Sequence, residues 1–120
     1  MIRPWQEIVA HFEEAAGVDS SLQTMFSLAQ KIASGPLATG LYGWTSMHDL
    51  CITQTPVTYP YNGPLLRLHP MPDGQIEFRY VDTLVEHEQW RRVENAGDAT
   101  TRLLKFLDQL RWFPAELLKQ

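Results

Sequence analysis

Between Pro4 and Ala16, the apolar residues Trp5, Ile8, Val9 and Phe12 recur at i, i+3, i+4 and i+7, with Gln6, Glu7, Glu13 and Glu14 on the polar side. That spacing gathers the large side chains on one stripe and predicts an amphipathic helix over 4–16. Pro4 suits the first turn, where a missing N–H removes no helical bond, and Gly17 suits the stop. A second helix is expected over 20–34, with Leu22, Met25, Phe26, Ala29 and Ile32 as its buried stripe. Ser20 and Gln23 have the spacing of a capping box, and Gly35-Pro36 ends the run. Two short helices so closely linked predict an antiparallel helical hairpin.

The period then changes. From Thr39 to Asn95 the chain is rich in β-branched and aromatic residues broken by Pro, Gly and Asn, which predicts strands and turns. The clearest hairpin is GPLLRLH–PMPDG–QIEFRYV. A loop at 70–74 pairs His69 with Gln75, Leu68 with Ile76, Arg67 with Glu77 and Leu66 with Phe78. Apolar then meets apolar on one face and opposite charges meet on the other. Strands are also expected at 40–46 and 49–54. Tyr42, Trp44, His48, Leu50 and Ile52 share one parity there, which suits one bent strand or two strands around Ser46–His48. A fifth strand near 88–94 alternates less cleanly.

Asp98 is placed to cap a final helix whose buried stripe is Leu103, Phe106, Leu107 and Leu110. The tail that follows is apolar for a terminus, and Pro114 could open one more turn. The order is therefore two helices, four or five antiparallel strands, then a helix. It predicts one α+β domain over 1–120, with an N-terminal helical hairpin, an antiparallel sheet and a C-terminal helix packed on the sheet. The second sheet face is left to solvent, to the chain's own loops, or to another copy.

Composition narrows the function classes. Fourteen acidic against ten basic side chains give a net charge of −4. Phosphate backbones require clustered positive charge, so no nucleic-acid partner is expected. A single cysteine excludes an intrachain disulfide and fits a reducing compartment. The N-terminus lacks the basic start and apolar core of a signal peptide, and no run approaches the ~20 apolar residues that span a bilayer. A cytoplasmic protein without a membrane partner is the expectation.

The densest chemistry lies between Leu41 and Pro64, which holds Tyr42, Trp44, Tyr59, Tyr61, Cys51 and the His48–Asp49 pair. No two of His11, His48, His69 and His87 have the spacing that places metal ligands on one side of an element, so no metal is expected. Glu86 and Glu88 flank His87, but on a strand they point to the other face. Cys51 needs a nearby cation to become a thiolate. His48, three residues away on a strand, faces the other side, whereas Asp49 shares the cysteine's face and opposes ionisation. Cys51 thus reads as a small buried residue, and His48–Asp49 as a turn. Glycine-rich phosphate loops are absent, and no cofactor is expected.

Two groups of contact residues remain. Arg67, His69 and Arg79 project from one hairpin face with Glu77 and could hold an anion, although a solvated sheet face shows the same charge alternation. Trp44, Tyr59 and Tyr61, stiffened by Pro56, Pro60 and Pro64, offer amphipathic rings for recognition or for covering a sheet edge. The tail residues Trp112, Phe113, Leu117 and Leu118 are candidates for a dimer contact. These features favour a small non-catalytic binding or regulatory module that self-associates or binds another protein, with no ligand identified. The alternative is a small enzyme with a pocket formed by residues 41–64 and His48 as general acid or base.

Overall fold

The computed structural model describes residues 2–56, 64–82, 89–113 and 118. Helix α1 spans Trp5–Val18 and buries Trp5, Ile8 and Phe12, the stripe its period implied. It runs through Gly17 instead of stopping there. Asp19 ends it by donating its N–H to the Ala15 carbonyl at 2.9 Å. The Asp19 carboxylate also accepts from the Ser21 N–H at 3.0 Å and the Ser21 hydroxyl at 2.8 Å. These bonds stand where the Ser20–Gln23 capping box was expected: the Asp19 carboxylate, a stronger acceptor than a hydroxyl, takes the Ser21 N–H at the start of the turn. Ser20–Leu22 form a 3-10 turn, and α2 occupies Gln23–Ala33 with Met25, Leu28, Ala29 and Ile32 buried. A further 3-10 turn at Pro36–Thr39 leads into the sheet.

Five strands follow: β1 Tyr42–Ser46, β2 Asp49–Thr53, β3 Leu65–Pro70, β4 Ile76–Val81 and β5 Trp90–Glu94. They lie in chain order in one antiparallel sheet, and α3, Ala99–Gln109, closes the described fold. The protein is thus an α+β fold with N-terminal helices, a five-stranded antiparallel sheet and a C-terminal helix. Asp98 occupies the N-cap position of α3, but its side chain makes no capping hydrogen bond.

All three helices pack on one sheet face. Leu50, Ile52, Leu66, Leu68, Ile76 and Phe78 are fully buried there against Ile8, Phe12, Met25, Leu28, Ile32, Leu103 and Leu107. Trp5 of α1 lies over Gly43, where a Cβ would come within 2.8 Å of the indole ring, and donates Nε1–H to the Leu41 carbonyl at 3.0 Å. Phe106 of α3 packs against Trp90 with the rings tilted by 46° and 4.5 Å between centroids. Helix α2 is tied to the β3–β4 turn by the Thr24 hydroxyl donating to the Gly74 carbonyl at 2.9 Å.

Two turns decide which residues meet. Ser46 pairs with Asp49, so Met47 and His48 form a two-residue reversal, with Met47 at φ 58°. Of the two arrangements open at 40–54, two strands form. The reversal also breaks the shared parity. Gly43 and Thr45 lie opposite Ile52 and Leu50 on the helix-covered face, while Tyr42 and Trp44 lie opposite Thr53 and Cys51 on the outer face.

The β3–β4 register also departs from expectation. Pro70 pairs with Ile76, Leu68 with Phe78, His69 with Glu77 and Arg67 with Arg79. The five-residue loop occupies 71–75 instead of 70–74. It is closed by the Met71 N–H donating to the Gln75 carbonyl at 2.8 Å and turned by Asp73 and Gly74 at φ 65° and 77°. Moving the loop by one residue shifts the register by two. Every side chain keeps its face but changes its partner.

Among the described residues no helix is long and apolar enough to cross a membrane. The C-terminal residues Trp112, Phe113 and Leu118 pack against the chain's own core. A Cβ on Gly40 would sit 2.6 Å from the Phe113 ring.

Candidate functional site

Directly paired residues on neighbouring strands point to the same side, so the register defines the outer face. One row across the sheet reads Trp44, Cys51, Arg67, Arg79, Arg91. The adjacent row places Asp49 on β2 beside the His69–Glu77–Val93 line. On the other side Tyr42 faces Thr53 and Leu65 faces Val81. The outer face therefore has a strip of large apolar groups at one end and a charged cluster beside it.

The cluster is organised by Asp49. Its Oδ2 accepts from Arg67 Nε at 2.6 Å, and its Oδ1 lies 2.6 Å from His69 Nδ1. A carboxylate only accepts, so the bonded Nδ1 carries the hydrogen and Nε2 points away. Asp49 is 14% exposed and His69 54% exposed, so the carboxylate is enclosed while the imidazole rim reaches solvent. On β4, Arg79 Nη2 donates to Glu77 Oε1 at 2.9 Å, and Arg79 Nε is buried without an acceptor among the described residues. These five residues line a basin of about 340 Å³. Burial opposes the charge on Arg67, but the hydrogen bond and attraction to Asp49 prevail and raise its pKa above the ordinary guanidinium value.

Arg67, His69 and Arg79 thus share one basin, as the hairpin pattern implied, with Glu77 among them. Asp49, which its sequence context assigns to a turn beside His48, is the hub of this basin. The signal available was its parity with Cys51 on a strand antiparallel to β3.

Cys51 lies on this face between Trp44 and Arg67 but is sealed from solvent. Burial raises its thiol pKa to about 11, Arg67 opposes that rise, and Asp49 adds to it. At neutral pH the group is a protonated thiol, a poor nucleophile.

His48 is placed elsewhere. It lines a cavity of about 390 Å³ with His11, Glu14, Ala15, Val18, Asp19 and Leu22, between the end of α1 and the β1–β2 turn. The His11 and His48 rings are 5.6 Å apart, and His11 Nε2 is 3.2 Å from the Met47 carbonyl oxygen. Hydrogen bonds from Ser21, with a smaller contribution from the charge of His48, hold the Asp19 carboxyl below its usual pKa. The described residues contain no group of three or more His, Cys, Asp or Glu arranged for a metal ion. Tyr59, Tyr61, His87 and Leu117 lie outside the described residues.

Comparison of the chain with protein-family models, curated proteins and solved structures finds no match.

Proposed function

We propose that this protein is a non-catalytic binding module that self-associates through the outer face of its sheet. The observation supporting this reading is the composition of that face. Half-buried Tyr42, Trp44, Leu65 and Val81 adjoin a hydrogen-bonded cluster of arginine, histidine and carboxylate groups, while all three helices pack on the opposite face. Protein interfaces combine an apolar centre with a polar rim and are enriched in tyrosine, tryptophan and arginine. The one thiol on the face is protonated, so a nucleophilic role is disfavoured. Sedimentation velocity from ~1 µM to ~1 mM tests the reading. The full chain should form dimers with rising concentration, and Leu65→Glu should stay monomeric with an unchanged circular dichroism spectrum. A chain that is monomeric throughout that range loses this function.

A second reading is favoured by the paired imidazoles: His48 acts as a general acid or base in the His11–His48 cavity. Hydrolase and isomerase substrates should then be turned over by the wild type and not by a folded His48→Ala variant. Turnover that is absent, or unaffected by the substitution, removes it.

A further inference from the structure

Arg67, Arg79 and Arg91 form one row across β3, β4 and β5 on the outer face, with Asp49 and Glu77 beside the first two. The three arginines are direct cross-strand neighbours, Arg67 opposite Arg79 and Arg79 opposite Arg91. Like charges so placed repel, and Asp49 and Glu77 hold Arg67 and Arg79 apart from one another's charge. Asp49 already uses one oxygen for Arg67 and the other for His69. Each of the two central guanidiniums gives a single nitrogen to its carboxylate, Nε from Arg67 and Nη2 from Arg79. Among the described residues, no acceptor engages the other nitrogens of either fork.

We propose that the basin bounded by Arg67, His69 and Arg79 binds a small oxyanion, a carboxylate or a phosphoryl group. Its oxygens would accept from the two Nη nitrogens of Arg67 and from Nη1 of Arg79, whose Nε is buried, with the exposed rim of His69 beside them. The planar fork of arginine matches both oxyanions, and the paired carboxylates hold the forks in position before the ligand arrives. The volume of about 340 Å³ suits a ligand of a few heavy atoms or the acidic end of a larger one. Asp49 and Glu77 here act as positioning residues. The site rests on the reading of the outer face as a contact surface and gives that surface a ligand chemistry.

Isothermal titration of the full chain with inorganic phosphate and with succinate, at matched ionic strength, tests the site. Saturable binding of at least one is expected, and the responding probe identifies the phosphoryl or carboxylate source. Arg79→Gln and Arg67→Gln should each weaken it about tenfold or more, Arg79→Lys less, and Lys105→Gln, on the exposed side of α3, not at all. The arginine Nε–Hε resonances of Arg67 and Arg79 should shift during the titration, which locates the anion independently of the variants. No saturable binding of either probe up to ~10 mM overturns the proposal, as does binding that both glutamine variants retain. Absent anion binding in a chain that still dimerises through Leu65 removes the oxyanion site alone. Anion binding by a strictly monomeric chain removes self-association and leaves the site.

Discussion

Individual residues show where local chemistry yields to its surroundings. Cys51 sits on a strand beside a histidine-bearing turn, yet burial keeps its thiol protonated, with a pKa of about 11 against an ordinary 9.0. The folded state therefore holds this proton at pH values where the unfolded chain releases it. Between pH 9 and 11 the unfolded state binds fewer protons, so stability falls as pH rises, by on the order of 2 kcal/mol in all. Urea titrations over that range should show the decline in the wild type, and Cys51→Ala should flatten it. Met47 poses the opposite case, a fully hydrated side chain on a demanding backbone. It adopts φ 58° while 89% exposed, so its side chain contributes little packing. Left-handed backbone is costly for a residue with a Cβ. Met47→Gly should stabilise the fold by ~0.5–1 kcal/mol in the same titration, because relief of strain exceeds the added chain entropy.

The elements follow their periodicities closely, and their ends do not. Helix α1 buries Trp5, Ile8 and Phe12 as expected but runs past Gly17, and the Asp19 N–H closes it on the Ala15 carbonyl. Strands β3 and β4 alternate as expected, whereas β2 is buried from Leu50 to Thr53 and β5 is exposed from Trp90 to Val93. Which strands pair depends on turns. A helical period depends on neighbours within one turn of chain, while a strand's partner is fixed by a loop whose closure involves five residues at once. The packing of α1 on β1 adds a constraint that periodicity cannot express: Gly43 must lack a side chain because Trp5 occupies that space. Gly43→Ala should destabilise the protein by ~1–3 kcal/mol through overpacking. Its thermal midpoint should fall, with the Trp5 fluorescence environment altered. A midpoint equal to wild type would show that the indole is free to move aside.

At the scale of the whole molecule, the sheet separates a helix-covered core from an outer face. Three helices cover one face, and the outer face brings Asp49 together with Arg67 and His69, 18 and 20 residues away along the chain. Trp112 and Phe113, which read in isolation as a contact for a second copy, pack on this chain's own core beside Gly40. A chain ending at Arg111 should therefore lose about 2–4 kcal/mol of stability, the order expected for removing partly buried aromatic side chains. If it denatures at the wild-type midpoint, those aromatics contribute nothing to the fold.

The sequence by itself determined the fold class, the two N-terminal helices, the C-terminal helix and the two faces of the β3–β4 hairpin. Each depends on periodicity, which is written within a few residues. It also placed Arg67, His69 and Arg79 on one face, because they share a parity. Only the tertiary structure decided that Trp44 turns away from Leu50 and Ile52, that Arg67 faces Arg79 instead of Glu77, and that Asp49 joins His69 while His48 faces His11. Those outcomes depend on chain reversals and on which strands become neighbours. A two-residue turn inverts the faces that an unbroken strand would keep, and a loop displaced by one residue exchanges partners while every side chain stays on its own side.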